Sequence, residues 1–234
     1  MKIAGVLFDK DGTLIDVHST WIPIYRQMLQ QVCNVDARQA EAMMEKTGYD
    51  REANTFRAGS IIAAGTTRQL VEIWWPDLDK AGHDEKARML DHDFGPLVNA
   101  SLIPLLPLEP VFAELRAMGL KLGIATNDSH VSAKSHMTVI GVVEHLEDII
   151  AADTVPVPKP SGNMIRRFAE ITGLDPSAIA MVGDNSHDME EARNGGAGLA
   201  IAVLSGNAAR GDIAHLADHT IDSVADLPAL LRSL

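Results

Sequence analysis

The apolar run Ile3-Ala4-Gly5-Val6-Leu7-Phe8 ends abruptly on Asp9-Lys10-Asp11-Gly12-Thr13. A short, continuously apolar segment closed by a turn describes a strand buried on both faces, as in a parallel sheet covered by helices. Residues 121–126, 179–183 and 199–204 repeat the pattern, and residues 149–152 do so less regularly. Between them lie helical patterns. Val111, Phe112, Leu115 and Met118 share one face and stop at Gly119; Met164, Ile165, Phe168 and Ile171 do the same and stop at Gly173. Strands alternating with such helices predict an α/β fold built on a doubly wound parallel sheet.

Residues 17–103 break the alternation. Helical stretches at 22–32, 38–46, 61–74 and 85–97 follow one another with no convincing strand between them. The passage Pro104-Leu105-Leu106-Pro107-Leu108-Glu109-Pro110 then restarts the strand–helix pattern. The expected organisation is a core of residues 1–16 and 104–234, with an all-helical cap domain at 17–103 inserted after the first strand.

The chain has 234 residues, 46% of them hydrophobic, which is enough for a sizeable core. Acidic residues outnumber Lys and Arg by 32 to 20, and the formal charge is -12. Such a surface repels phosphate backbones and anionic lipid, so neither nucleic acid nor a membrane is an expected partner. A small anionic substrate stays open, because a few placed cations or a metal invert the sign inside one pocket. Cys33 is the single cysteine, which suits a reducing compartment and a cytoplasmic location.

Ligands of open α/β sheets bind beyond the carboxyl ends of the strands. Four polar clusters are expected there: Asp9 with Asp11, Thr126-Asn127-Asp128, Lys159, and Asp184 with Asp188. Several carboxylates in one crevice repel one another without a divalent cation, and an all-oxygen set with few histidines suits Mg²⁺. A carboxylate is ready to attack phosphorus at neutral pH, so Asp9 could form an aspartyl phosphate. Asp11, two residues on, could protonate the leaving oxygen and then deprotonate water. The amides of Asp11 and Gly12, the Thr126 hydroxyl and the Lys159 ammonium could hold the equatorial oxygens.

Asp9-Lys10-Asp11-Gly12-Thr13-Leu14, Thr126, Lys159 and Gly183-Asp184-Asn185-x-x-Asp188 resemble the four ordered motifs of the haloacid dehalogenase superfamily. The helical insertion after the first motif resembles that superfamily's type-1 cap, and the nearest relatives suggested are phosphoglycolate phosphatase-like hydrolases. The resemblance spans essentially the whole chain. It implies Asp9 as nucleophile, Asp11 as acid/base, and Thr126 and Lys159 as phosphate ligands. It also implies Mg²⁺ held by Asp9, the Asp11 carbonyl, Asp184 and Asp188, the last directly or through water. The expected partner is a small phosphorylated metabolite, polar and anionic, acted on by a monomer or homodimer. Three positions depart from the family pattern: Lys10 where an apolar residue is common, Asn185 where Ser or Thr is usual, and Pro107-Leu108-Glu109-Pro110 where Tyr-Pro-Gly is common.

Other readings compete residue by residue. Asp188 is also placed to be a first-turn acid balancing a helix dipole. Arg57 beside Gly59 could bind a substrate carboxylate from the cap, or be a surface arginine at a helix end. Asn127 and Gly12 are further substrate-binding candidates, with His18 and Trp21 at the rim. Asp91-His92-Asp93 reads as a polar helix face, and Trp74-Trp75-Pro76 and Met43-Met44 as packing inside the cap. For the whole chain, a sugar-phosphate mutase of the same superfamily shares all four motifs and is the alternative function. A receiver-like phospho-acceptor module is the third reading, although such domains are about half this length.

Overall fold

The computed structural model describes residues 2–33 and 35–234. After β1 (Gly5–Phe8) the chain enters α1 (Val17–Cys33), α2 (Ala37–Thr47), a ribbon of β2 (Tyr49–Asp50) and β3 (Thr55–Phe56), α3 (Ile61–Ala64), α4 (Thr67–Trp74) and α5 (Lys80–Ser101). It then returns through α6 (Leu108–Ala117), β4 (Lys121–Thr126), α7 (His130–Ile140), β5 (Leu146–Ala151), α8 (Asn163–Thr172), β6 (Ile179–Gly183), α9 (Ser186–Gly195) and β7 (Leu199–Val203). The remaining elements are α10 (Arg210–Ile213), β8 (His219–Ile221) and α11 (Leu227–Ser233).

Six strands form one parallel sheet in the order β5-β4-β1-β6-β7-β8. The chain builds one flank from β1 through β4 and β5, then crosses to the other flank at β6. The order therefore reverses at β1, where a crevice opens beyond the strand ends. Val6 and Phe8 face one helical layer with α6, α7 and α11, while Leu7 faces the other with α8 and α9. Both faces are covered, which is why β1 is apolar at every position rather than at every second one. Phe8 stacks on Phe112 of α6 at 5.0 Å between ring centroids.

The helices between β1 and α6 have a separate apolar core that includes Met28, Met44, Leu70, Trp74, Leu90 and Phe94. Their ends are marked in sequence: Asp36 and Thr66 form capping boxes with Gln39 and Gln69, and Asp79 caps α5. The connections to this region run side by side. The Asp16 amide donates to the Ile103 carbonyl at 2.8 Å and the Leu105 amide to the Leu14 carbonyl at 3.0 Å.

The insertion differs from the all-helical expectation by its ribbon. Gly48 ends α2 in the left-handed region (φ 119°), and Asp50 Oδ1 accepts from the amides of Glu52 and Ala53 to turn the chain back. Two-residue strands are too short to show an alternation. The expected helix at 61–74 is two helices, because Gly65 closes the first and Thr66 caps the second. The strand β8, three half-buried residues at the sheet edge, carries no apolar run to announce it in sequence.

Candidate active site

Parallel pairing sets Phe8 level with Ile124 and Val182, so the chains of β1, β4 and β6 leave the sheet together. Asp9, Thr126 and Asp184 emerge within two residues of that level, all of them buried. One carboxylate oxygen each from Asp9, Asp184 and Asp188 lies within 4.8 Å of the others. Lys159 Nζ donates to Asp9 Oδ1 at 2.5 Å and to Asp188 Oδ1 at 2.7 Å. Three buried carboxylates against one ammonium leave uncompensated negative charge. Burial pushes the Asp9 carboxyl up to about 7, opposed by Lys159 and assisted by Asp188. Burial, then Asp9 and Asp188, raise the Asp184 carboxyl well above its ordinary value. Burial opposes the Lys159 charge, but Asp188 and Asp9 outweigh it and hold the ammonium protonated. An all-oxygen donor set with surplus negative charge fits a hard divalent cation.

Each group is locally fixed. Gly12 has φ +88°, and a Cβ there would overlap the Asp184 carboxylate, so only glycine lets the two segments meet. Asp184 Oδ2 accepts from the Asn207 amide at 2.9 Å. Asn185 caps α9, and Asp188 Oδ2 closes the capping box on the Asn185 amide at 3.0 Å, leaving Oδ1 for Lys159. Asp188 is thus a first-turn acid and a member of the cluster at once. The Thr126 hydroxyl oxygen accepts from the Asp128 amide at 3.1 Å, which leaves its proton for a ligand in the cleft.

Lys159 sits on a loop held from both sides. Asn127 Oδ1 accepts from the Lys159 amide at 3.0 Å, and its Nδ2 donates to the carbonyls of Lys159 at 3.3 Å and Ala64 at 2.9 Å. Asn127 therefore ties the lysine loop to the helical insertion. On the other side, the fully buried Glu191 accepts from the amides of Gly162, Met164 and Ile165 at the start of α8.

The family model for haloacid dehalogenase-like hydrolases matches residues 3–196. The chain belongs to the haloacid dehalogenase-like hydrolases. It is 29% identical to a phosphoglycolate phosphatase of Chromobacterium violaceum over 234 residues, covering 99% of this chain and 97% of that one. It is 24% identical to pyrophosphatase PpaX of Bacillus velezensis, covering 97% and 95% of the two chains. In fold it is similar to the crystal structure of a predicted phosphatase from Clostridium acetobutylicum, with a TM-score of 0.75, 16% identity and full coverage of both chains. This member of the family is accordingly an enzyme, a phosphatase.

The Asp11 carboxylate lines the cleft but stands apart from the other three: Oδ1 accepts from Trp21 Nε1 at 2.6 Å and Oδ2 from Lys10 Nζ at 2.5 Å. The Gly12 amide, expected on a phosphoryl oxygen, donates instead to the Ile15 carbonyl at 2.8 Å, because the chain turns tightly after β1. Gly12 serves by its lack of a side chain. Arg57, expected as a substrate ligand, is exposed outside the cleft, its guanidinium on the Glu45 carbonyl at 3.2 Å. The cap loop turns it away after the ribbon. His18 Nδ1 accepts from the Phe56 amide at 3.2 Å and also lies outside the lining, whereas Trp21 is part of it.

Lys10, which stands where the family pattern is commonly apolar, is fully buried, 5.3 Å from the Trp21 ring centroid, between Asp11 and Asp128, 3.2 Å from the latter. Burial opposes its charge, and the two carboxylates hold it protonated. Asp91, expected on a polar helix face, turns into the cleft, hydrogen-bonded by Thr67 at 2.9 Å, while His92 beside it is exposed. Neither role has a signal in sequence, since each depends on which side of its segment meets a neighbour.

Proposed function

We propose that this phosphatase hydrolyses a small phosphomonoester in a Mg²⁺-dependent reaction through an aspartyl phosphate on Asp9. The observation that carries the proposal is the convergence of Asp9, Asp184, Asp188 and Lys159 at the sheet's switch point, with Thr126 beside them. Asp9, Asp184 and Asp188 would hold Mg²⁺ through their carboxylates. Bound there, the ion would offset the acidic cluster and screen charge on the phosphoryl oxygens.

Asp9 attacks phosphorus in line with the leaving oxygen; the new Asp9 O–P bond forms as the ester P–O bond breaks. The Lys159 ammonium and Thr126 hydroxyl hold equatorial oxygens as charge builds on them. Asp11 is the group placed to move the proton: entering this step as the acid, it delivers the proton to the departing alkoxide and is left as the carboxylate that Trp21 and Lys10 hold. In the second half-reaction Asp11 takes a proton from water, whose oxygen attacks phosphorus and returns Asp9 and free phosphate. The cap's walls on the cleft exclude bulk solvent from these steps.

The test is phosphate release from p-nitrophenyl phosphate with and without Mg²⁺, in wild type and Asp9→Asn. Turnover that requires the metal and is lost in the variant is expected. Undiminished turnover by Asp9→Asn rejects the covalent route.

A further inference from the structure

The two ends of the cleft differ in kind. The sheet end holds the carboxylate cluster, Thr126 and Lys159. The cap end is walled by apolar and aromatic side chains, among them Tyr25, Met28, Leu70, Trp74, Phe94 and Val98. The cap gives this lining no Lys, Arg or His among the described residues, and its one ionisable acid there is Asp91.

Four of the cap's arginines are engaged elsewhere, and Arg38 and Arg88 are exposed outside the lining. Arg26 pairs with Glu41, Arg51 with Glu45, and Arg68 with Glu72 and Asp84, while Arg57 bonds the Glu45 carbonyl. In the core, Lys10 is spent on Asp11 and Asp128, and the basic side chains that line the cleft, Lys159 and His187, lie at its sheet end with the carboxylate cluster. In-line displacement on phosphorus by Asp9 directs the leaving group away from the strand end, and hence into the cap chamber. A departing alcohol therefore enters a chamber whose cap wall is mostly apolar, with the Tyr25 and Thr67 hydroxyls and the Asp91 carboxyl among its polar groups.

We propose that the alcohol portion of the substrate is uncharged and largely apolar, a hydrocarbon or aromatic group, rather than a carboxylate-bearing one. The proposal rests on the phosphatase reading above and revises the expectation of an anionic substrate. A carboxylate in this chamber would lose its hydration without gaining a cation and would meet Asp91 at like charge. An apolar group instead leaves water for matching walls. Burial sets the Asp91 carboxyl at about 6, so at neutral pH it is mostly ionised and adds to the exclusion of anions.

The experiment compares kcat/KM for ethyl phosphate, 2-phenylethyl phosphate and 2-phosphoglycolate with wild-type enzyme and Mg²⁺. All three release a primary alkoxide, so intrinsic reactivity differs little among them. 2-Phenylethyl phosphate is expected to exceed ethyl phosphate by about tenfold or more, and 2-phosphoglycolate to fall about tenfold or more below it. Leu70→Phe, which fills the chamber without polarity, should reduce the ratio of phenylethyl to ethyl ester several-fold. Asp91→Asn should raise the ratio of 2-phosphoglycolate to ethyl phosphate. Turnover of p-nitrophenyl phosphate together with 2-phosphoglycolate equal to or better than the phenylethyl ester overturns the inference and leaves the phosphatase reading intact. Failure to hydrolyse any ester, p-nitrophenyl phosphate included, removes both.

Discussion

Glu191→Ala tests whether the lysine loop is held by a buried carboxylate across the α8–α9 contact. Glu191 Oε2 accepts from the Gly162 amide at 2.6 Å, and Oε1 from Met164 at 2.8 Å and Ile165 at 3.2 Å. The side chain is fully buried, so truncation leaves three amides at a helix start without their acceptor. Hydrogen bonds to a charged group contribute about 1.5–3 kcal/mol each, but three sharing one acceptor are not additive. A loss of about 3–5 kcal/mol is expected, since each of the three unsatisfied amides costs roughly 1–3 kcal/mol and the costs do not add fully. For a chain of this size that lowers Tm by roughly 6–20 °C. Glu191→Gln is the sharper probe. Its carbonyl can keep the Met164 and Ile165 bonds while its NH₂ faces the Gly162 N–H, so about 1–3 kcal/mol should be lost. Urea unfolding followed by far-UV circular dichroism gives both values, with Mg²⁺ absent so that metal binding does not contribute. Since Lys159 lies three residues before Gly162, kcat on p-nitrophenyl phosphate should fall in both variants below the melting range. Stability within 1 kcal/mol of wild type for Glu191→Ala would refute the reasoning.

Three further outcomes follow from the geometry. Gly12→Ala combines a positive φ with overlap on Asp184 and should cost about 2–4 kcal/mol in unfolding free energy while weakening Mg²⁺ activation; unchanged values would show that the two segments can part freely. Chelation by EDTA should abolish turnover and lower Tm by about 5–10 °C at metal levels near a hundredfold over Kd, and Mg²⁺ should restore both; a Tm indifferent to both reagents counts against the acidic cluster as a metal site. His136 is buried, and that burial, with Lys10, pushes its imidazole down to about 4 from an unfolded value near 6.5. Between those values the unfolded chain binds the extra proton, so the stability contributed by neutral His136 is present above pH 6.5 and drains away as pH falls toward 4. Wild type should therefore lose about 2–3 kcal/mol relative to His136→Gln between pH 7 and 4.5, measured as the difference of their urea unfolding curves.

Much of the site was legible in the order of residues because parallel strands end level. Asp9, Thr126 and Asp184 each follow an apolar run that leaves little doubt about where its strand stops, and strand pairing then brings the three ends together. Lys159 was placed with them although its strand, 149–152, was weaker and begins earlier, at Leu146. Gly12 stood out by its place after Asp11, but as a phosphoryl ligand; that its bare Cα faces Asp184 and that its N–H goes to the Ile15 carbonyl only the folded turn decides.

The sequence by itself determined the doubly wound sheet, the insertion after its first strand and the acidic cluster, since all three rest on periodicity and on what a strand end must do. The tertiary structure alone decided which face of each cap helix meets the cleft. Successive helix positions are about 100° apart, so Asp91, His92 and Asp93 point three ways, and only the packing of α5 on α1, α4 and α7 turns Asp91 inward. The same packing lines the chamber with Tyr25, Leu70 and Trp74 and sends Arg57 outward. A strand buried on both faces announces itself in every residue, whereas a helix reveals that it has an apolar side but not what that side will enclose.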